Sequence, residues 1–264
     1  MSSETILTAI KPNGVATLTL NRPEVHNAFD DDLIAGLTAE LRNLDADASV
    51  RCLVLAANGN SFSAGADLNW MKRMADYSEK ENLRDARKLA ELMRLLHEIG
   101  KPTIARVQGA AFGGGVGLVA CCDIAVAADN AAFCLSEVKL GLIPAVISPY
   151  VIRAMGERHA RRYFISAERF DAREALRIGL VHKVVPSDAL DDWIDKLATV
   201  LLDNGPMAMA AAKELIRAVA AAPLGAELID DTARRIAAIR VSEEGQEGLE
   251  AFLAKRKPYW SDSD

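Results

Sequence analysis

Two glycine-containing segments of the chain could each present a backbone N–H group to a ligand. In residues 61–68, small side chains around Gly65 allow a tight fold that would expose the N–H of Ala66. In residues 108–117, five glycines follow a strand-like run and would expose the N–H of Gly114. Two such donors could hold an oxygen atom that gains negative charge during a reaction, and one donor typically contributes about 3–4 kcal/mol of transition-state stabilisation.

Glu137 is the predicted proton-exchanging group. It lies among Leu135, Val138 and Leu140, and burial there would raise its pKa toward that of a general acid or base that works near neutral pH. A surface position on an amphipathic turn fits the local sequence as well. Glu137 and the N–H groups of Ala66 and Gly114 form the predicted catalytic set.

The other reactive side chains lack the spacing of a metal or nucleophile site. Four histidines lie far apart, and four cysteines lie in apolar surroundings. Ser136 lacks the G-x-S-x-G context of a hydrolase, and Asp67 follows a small-residue turn where aspartates commonly cap helices. We therefore expect no metal and no bound cofactor, and reduced cysteines indicate a cytoplasmic protein.

The glycines also permit a dinucleotide-binding interpretation, because Gly115, Gly117 and Ala120 have the required spacing. In that motif, however, the glycines begin where a strand ends and a helix opens. Here Gly113 follows Val107, the end of the strand-like run, by six positions, and a hairpin opens the chain. The pattern favours the pair of N–H donors.

The elements that must position these groups alternate between strands and helices, which indicates an α/β domain. A hairpin is predicted from residues 5–10 and 15–20, helices over 30–44 and 80–99 and from the glycines to about 122, and strands at 52–57, 103–107, 124–127 and 132–135. From residue 171 onward the pattern is helical with almost no strand, at 172–178, 189–202, 206–222, 226–240 and 243–254. We expect a core over residues 1–188 and a helical region for oligomer contacts over residues 189–264.

The composition of the chain limits the classes of partner that it could bind. The chain has 264 residues, half of them hydrophobic, and a formal net charge of −6 with scattered Lys and Arg. It therefore lacks the basic stripe that nucleic-acid binding usually requires, and no apolar run is long enough to span a membrane. Small basic clusters at Lys72-Arg73 and around Arg84, Arg87 and Lys88 leave an RNA-binding or scaffolding role as the non-enzymatic alternative.

Several segments in a fixed order resemble the crotonase, or enoyl-CoA hydratase/isomerase, superfamily. The resemblance extends from Val15 to Trp260, nearly the whole chain, and a set of ordered markers is far more specific than any one of them. The markers are Asn21-Arg22-Pro23, Asn27-Ala28, residues 62–68, residues 109–117 with Cys122-Asp123-Ile124, and Ser136-Glu137 ahead of residues 141–144.

This resemblance implies a spiral of ββα units, with a C-terminal helical region that forms trimers or dimers of trimers. It also implies an acyl-CoA thioester whose carbonyl oxygen lies between the N–H groups of Ala66 and Gly114. A basic residue near Lys255 would meet the CoA phosphates of a neighbouring subunit. Residues expected along the CoA and acyl path are Ala28, Ala64, Asp67, Leu68, Gly113, Gly117, Ser148 and Tyr150.

The chain departs from the family pattern at two places. Hydratases of the family usually carry two glutamates, and Gly117 stands at the first of these positions. After Pro144, where a glycine run is common, this chain has bulkier residues at 145–150, which should reshape the acyl pocket, and Ser148 and Tyr150 add hydroxyl groups. Both features resemble the bacterial methylglutaconyl-CoA hydratase branch of leucine degradation.

Two reactions remain open with a single carboxylate. The first is reversible hydration of a short branched or carboxylated 2-enoyl-CoA such as 3-methylglutaconyl-CoA, with Glu137 holding the water. The second is Δ3,Δ2-enoyl-CoA isomerisation, which needs only one carboxylate to carry a proton between two carbons.

Overall fold

A computed structural model describes residues 4–261. The strands are β1 (Ile6–Ile10), β2 (Val15–Leu20), β3 (Cys52–Ala57), β4 (Ser61–Ser63), β5 (Thr103–Val107), β6 (Ala110–Phe112), β7 (Ile124–Ala128), β8 (Ala132–Cys134), β9 (Phe170–Asp171) and β10 (Lys183–Val185). The α-helices are α1 (Asp31–Ala46), α2 (Leu68–Ala75), α3 (Glu79–Glu98), α4 (Gly114–Cys121), α5 (Ser148–Ser166), α6 (Ala172–Arg177), α7 (Leu190–Leu202), α8 (Pro206–Ala221), α9 (Ala226–Arg240) and α10 (Glu243–Leu253).

Each successive pair of strands contributes one strand to each of two sheets. In the pairs β3–β4, β5–β6 and β7–β8, the first strand joins a six-stranded sheet of order β1-β2-β3-β5-β7-β10. The second strand joins a four-stranded sheet of order β4-β6-β8-β9. Helices α2 and α3 follow β4, and α4 follows β6, so the chain winds through the same path repeatedly. This confirms the predicted spiral of ββα units.

The apolar character of β3 reflects burial on both of its faces. Leu53 and Leu55 point into the main core beneath α1, α3 and α4, whereas Cys52 and Val54 point to the other face of the sheet, where α7 packs. A strand covered on both sides needs no alternation of polar and apolar residues, and both ends of β3 coincide with the predicted ones.

The predicted hairpin, the longer strands and the predicted helices are confirmed to within two residues at each end. Other elements are absent from the prediction. Strands β4 and β6 have only three residues each, too few to show a period. Helix α5 begins near Pro149 and contains Gly156 in a non-helical conformation (φ 76°), which breaks its pattern. The tail beyond residue 171 does contain a strand, because β10 pairs in parallel with β7.

Helices α8 and α9 expose much apolar surface. Neither contains a buried residue, and the apolar residues left in solvent around α8–α10 include Leu224, Val241 and Phe252. Helix α8 is held to the core by Lys213, which pairs with Asp123 at 2.6 Å. No helix in the described range 4–261 is long and apolar enough to cross a membrane. Exposed apolar surface of this extent is typical of a protein interface.

Candidate active site

The first loop of the site connects β4 to α2. Gly65 has a φ of +90°, a conformation that glycine adopts without strain. The N–H of Phe29 donates to the Gly65 carbonyl at 2.7 Å, and the N–H of Asp67 donates to the Phe29 carbonyl at 2.8 Å. These bonds pass on either side of the Ala66 N–H, which donates to no acceptor among residues 4–261.

The second loop connects β6 to α4. Gly113 has a φ of +50°, and its N–H donates to the Cys134 carbonyl at 2.9 Å. Gly114 is the first residue of α4, so its N–H has no partner within the helix. No other acceptor for this N–H lies in the described part of the chain. The start of the helix therefore offers a free donor together with the positive end of the helix dipole.

The two loops are in backbone contact. A Cβ atom built on Gly65 would lie 3.2 Å from the Phe112 carbonyl oxygen and 3.9 Å from the Gly113 Cα. The buried ring of Phe29 lies beneath both loops, since a Cβ built on Gly114 would be 3.0 Å from its Cε2 atom. The structure thus brings together the two loops that carry the predicted donors.

Glu137 follows β8, on a short 3-10 helix (Glu137–Leu140), and its carboxylate lies against the second loop. A Cβ built on Gly113 would be 3.2 Å from Glu137 Oε1. Its other oxygen, Oε2, is buried and has no hydrogen-bond partner in the described structure. Burial raises the pKa of Glu137, because the charged form loses water. A hydrogen bond from its own backbone offsets part of this rise.

Three of the residues predicted along the CoA path lie at the first loop, and two of them are exposed while the third is buried. Ala64 and Leu68 are exposed, and Leu68 has 74% of its surface accessible. Asp67 is buried and caps α2, accepting the N–H groups of Asn69 at 2.8 Å and Trp70 at 3.3 Å. The Asp67 side chain is therefore engaged within the loop, as the helix-cap interpretation expects.

Arg22 supports the first loop and Asn27 supports the turn and strand that precede it, roles that the sequence did not reveal. Arg22 pairs with Asp67 at 3.2 Å and donates to the Ala28 carbonyl at 2.7 Å. Asn27 is fully buried, and its amide donates to the carbonyls of Asn58 and Ser61, both at 2.9 Å. The Asn-Arg-Pro and Asn-Ala segments are the only signal that could have identified these supports.

The remaining predicted substrate residues lie outside this cluster of contacts. Gly117 is buried in α4, where a Cβ would collide with Ile147. Ser148 Oγ donates to the Ala145 carbonyl at 2.8 Å, and the Tyr150 ring packs edge-on against His97, with centroids 5.2 Å apart. Within residues 4–261, neither hydroxyl donates to Glu137.

The described residues offer little support for metal binding or for cysteine chemistry. They contain no group of three or more His, Cys, Asp or Glu side chains that could hold a metal ion. The four cysteines are buried and unbridged, and burial raises the pKa of Cys52 to about 12, which leaves it unreactive.

A separate cavity of about 550 Å³ lies near α7, where Lys11 pairs with Asp195 and Arg106 with Asp191. Its charged groups already neutralise one another.

Comparisons with known proteins identify the family of the chain. The family model described as enoyl-CoA hydratase/isomerase matches residues 10–263. A putative enoyl-CoA hydratase of Thermus thermophilus is 34% identical, with 94% of this chain and 98% of the relative covered. The 2,3-dehydroadipyl-CoA hydratase of Escherichia coli is 36% identical, with 92% and 94% covered.

Solved structures give the same answer. An enoyl-CoA hydratase from Shewanella pealeana superposes with a TM-score of 0.95 at 49% identity, over 98% of this chain and 97% of that one. A putative enoyl-CoA hydratase/isomerase from Legionella pneumophila gives 0.92 at 51% identity, over 98% and 100%. The resemblance inferred from the ordered motifs is confirmed, and the chain is an enzyme of crotonase fold that belongs to the enoyl-CoA hydratase/isomerase family.

Proposed function

We propose that the enzyme reversibly hydrates a short branched or carboxylated 2-enoyl-CoA such as 3-methylglutaconyl-CoA. The observation that carries this proposal is the Glu137 carboxylate, half-buried with one unpartnered oxygen, against the loop that presents the Gly114 N–H. The E. coli relative named 2,3-dehydroadipyl-CoA hydratase supports a hydratase within the family. Coenzyme A enters as part of the substrate, and no separate cofactor takes part in the proposal.

The proposed reaction uses one carboxylate for both proton transfers. The N–H groups of Ala66 and Gly114 bind the thioester oxygen and stabilise the enolate that forms when water attacks Cβ. Glu137 holds the water, accepts its proton as the new C–O bond forms, and returns a proton to Cα. The product is the 3-hydroxyacyl-CoA, and Glu137 ends in its starting ionisation state.

Isomerisation of a 3-enoyl-CoA to the 2-enoyl-CoA is the second candidate. It is favoured by Gly117, because this position of α4 carries no second carboxylate that could share the acid and base roles with Glu137. Glu137 would take a proton from C2 and deliver it to C4, and the same two N–H groups would stabilise the dienolate.

Incubation in heavy-oxygen water separates the two reactions. Purified 2-enoyl and 3-enoyl thioesters, including short, branched and carboxylated ones, are each incubated with enzyme and analysed by mass spectrometry. Hydration incorporates the label at C3, whereas isomerisation moves the double bond without label. Conversion of 3-enoyl thioesters with no labelled product from any 2-enoyl thioester would refute the hydratase proposal.

The pH dependence of kcat/KM should report the burial of Glu137. If the carboxylate is the base that activates water, activity is lost as pH falls through the raised pKa of this group. We therefore expect the acid limb at a higher pH than an exposed glutamate would give. An acid limb at the ordinary glutamate pKa, measured with a substrate that dissociates rapidly, would contradict this expectation.

We also propose that residues 189–264 mediate assembly into a trimer or a dimer of trimers. The exposed apolar side chains around α8–α10 support this, with Phe252 81% and Leu253 78% accessible. Replacing both by Asp should shift the sedimentation coefficient toward that of a monomer, because charged groups at an apolar interface lose water without gaining partners. Replacing Phe252 by Leu is the matched control and should leave the assembly intact. A monomeric wild-type protein would contradict the proposal.

A further inference from the structure

The segment between β2 and α1 contacts both loops of the site through one residue, Phe29. Its N–H donates to the Gly65 carbonyl at 2.7 Å, and its carbonyl accepts the N–H of Asp67 at 2.8 Å. The Gly65 carbonyl and the Ala66 N–H belong to the same planar peptide group, in which they point in opposite directions. The hydrogen bond to the Gly65 carbonyl therefore fixes the direction of the Ala66 N–H, which points away from Phe29.

The ring of Phe29 lies against the second loop. A Cβ atom built on Gly114 would be 3.0 Å from the ring atom Cε2, 3.3 Å from Cδ2 and 3.6 Å from Cζ. One edge of the ring therefore packs on the Gly114 backbone, next to the second N–H donor. Because the ring is 1% exposed and closely packed, it limits how near the start of α4 can come to the Phe29 backbone.

Phe29 is itself held on both sides along the chain. Arg22 donates to the Ala28 carbonyl at 2.7 Å and pairs with Asp30 at 2.8 Å. Asp30 in turn caps α1, where it accepts the N–H of Leu33 at 2.9 Å. A shift of Phe29 would disturb these contacts as well, so this residue gives both loops a fixed point of reference.

We propose that Phe29 is a positioning residue that sets the distance between the N–H groups of Ala66 and Gly114. Its backbone directs the first donor, its ring supports the second, and it touches no reacting atom. The inference rests on the proposed two-donor mechanism and deepens it, because it names the residue that holds the two donors in register. A phenylalanine that only filled core volume would leave this spacing to the direct contact between the loops.

The carbonyl stretch of a bound thioester tests the donor spacing without turnover. Fixed donors polarise the C=O bond, so butyryl-CoA labelled with carbon-13 at its carbonyl should absorb at a lower frequency on the enzyme than in solution. Infrared difference spectroscopy measures this shift. Phe29→Leu removes the ring and keeps the backbone bonds, and we expect it to lose most of the shift. Phe29→Met keeps a long apolar side chain beneath Gly114 and should retain most of it.

Steady-state kinetics supply a second readout. Phe29→Leu should lower kcat by about tenfold to 10²-fold, since misplacing a positioned group by about 1 Å can cost about 10²-fold. KM should change far less, because the donors act chiefly on charge that develops in the transition state.

The matched control is Phe170→Leu. Phe170 is a buried ring on β9, at the edge of the four-stranded sheet, and it packs on Tyr163 with centroids 4.2 Å apart. This variant should lower Tm, as Phe29→Leu does, and keep the carbonyl shift and kcat of the wild type.

The outcomes separate this inference from the proposed function. A wild-type carbonyl shift and kcat in Phe29→Leu would overturn the inference, as would equal losses in Phe29→Leu and Phe170→Leu. Equal losses in Phe29→Leu and Phe29→Met would also overturn it, because the reach of the side chain would then be irrelevant. If butyryl-CoA bound to the wild type shows no shift at all, the two-donor mechanism fails as well.

Discussion

Replacing Glu137 by Gln lowers kcat by about 10² to 10⁴ with little change in KM, because the amide keeps the shape of the carboxylate and loses its capacity to exchange a proton. The two N–H donors, Gly113 and the CoA path are untouched, so binding persists. Steady-state kinetics with the best thioester from the substrate panel give the measurement. Glu157→Gln, at an exposed carboxylate of α5, is the matched control and should retain wild-type kcat.

The same substitution should stabilise the fold. Burial raises the pKa of Glu137, so the folded state binds the proton more tightly than the unfolded state and wild-type stability falls as pH rises through the raised pKa. Gln carries no such penalty, and its advantage in Tm should be largest above that pKa and vanish at low pH. A Gln variant with wild-type turnover would remove Glu137 from the mechanism, whatever its stability.

Converting the amide of Ala66 to an ester, by incorporating lactic acid at this position, should lower kcat by about 10² to 10³. The exchange deletes one N–H donor and leaves the methyl side chain in place, and loss of one such donor typically costs about 2.7–4 kcal/mol of transition-state stabilisation. The Ala66 N–H donates to no acceptor in residues 4–261, so the exchange deletes no donor bond of the folded protein, but it weakens the Gly65 carbonyl as the acceptor of the Phe29 N–H. Tm should therefore fall by a similar small amount in this variant and in its control.

The control is the same exchange at Ala226. This alanine is the first residue of α9, where a helix also leaves its N–H groups without intrahelical partners. The chemical change is identical and the position is in the C-terminal helices, so kcat should stay at the wild-type value. Equal kcat in the two ester variants would show that the Ala66 N–H does not meet the reacting oxygen.

Much of the fold follows from local sequence, because its long elements carry a clear pattern. Strands β3 and β5 are apolar runs closed by turn residues, and both begin and end as predicted. In contrast, β10 is recognisable only through its pairing with β7, which is set by contacts across more than fifty residues of chain. A helix such as α5, interrupted at Gly156, has no uniform period to detect.

The residues of the site also divide into those that local sequence predicts and those whose role depends on the folded structure. Glycine density locates Ala66 and Gly114, since backbone that approaches closely tolerates few side chains. The apolar neighbours of Glu137 indicate burial. The link between Gly117 and Ile147 could not be predicted, because it joins α4 to the residue before α5, and these meet only in the folded protein. The roles of Arg22 and Asn27 depend likewise on groups that lie far away in the sequence, the Asp67 carboxylate for Arg22 and the Asn58 carbonyl for Asn27.

The three groups of the site leave the four-stranded sheet at equivalent points of the spiral. Ala66 follows the end of β4, Gly114 follows the end of β6, and Glu137 follows the end of β8, each by two or three residues. Each successive turn thus contributes one group, and neighbouring turns hold the groups in order. A change in the length of one connection would displace a single group and spare the other two. Such an arrangement allows the acid or either donor to be exchanged one at a time without rebuilding the scaffold.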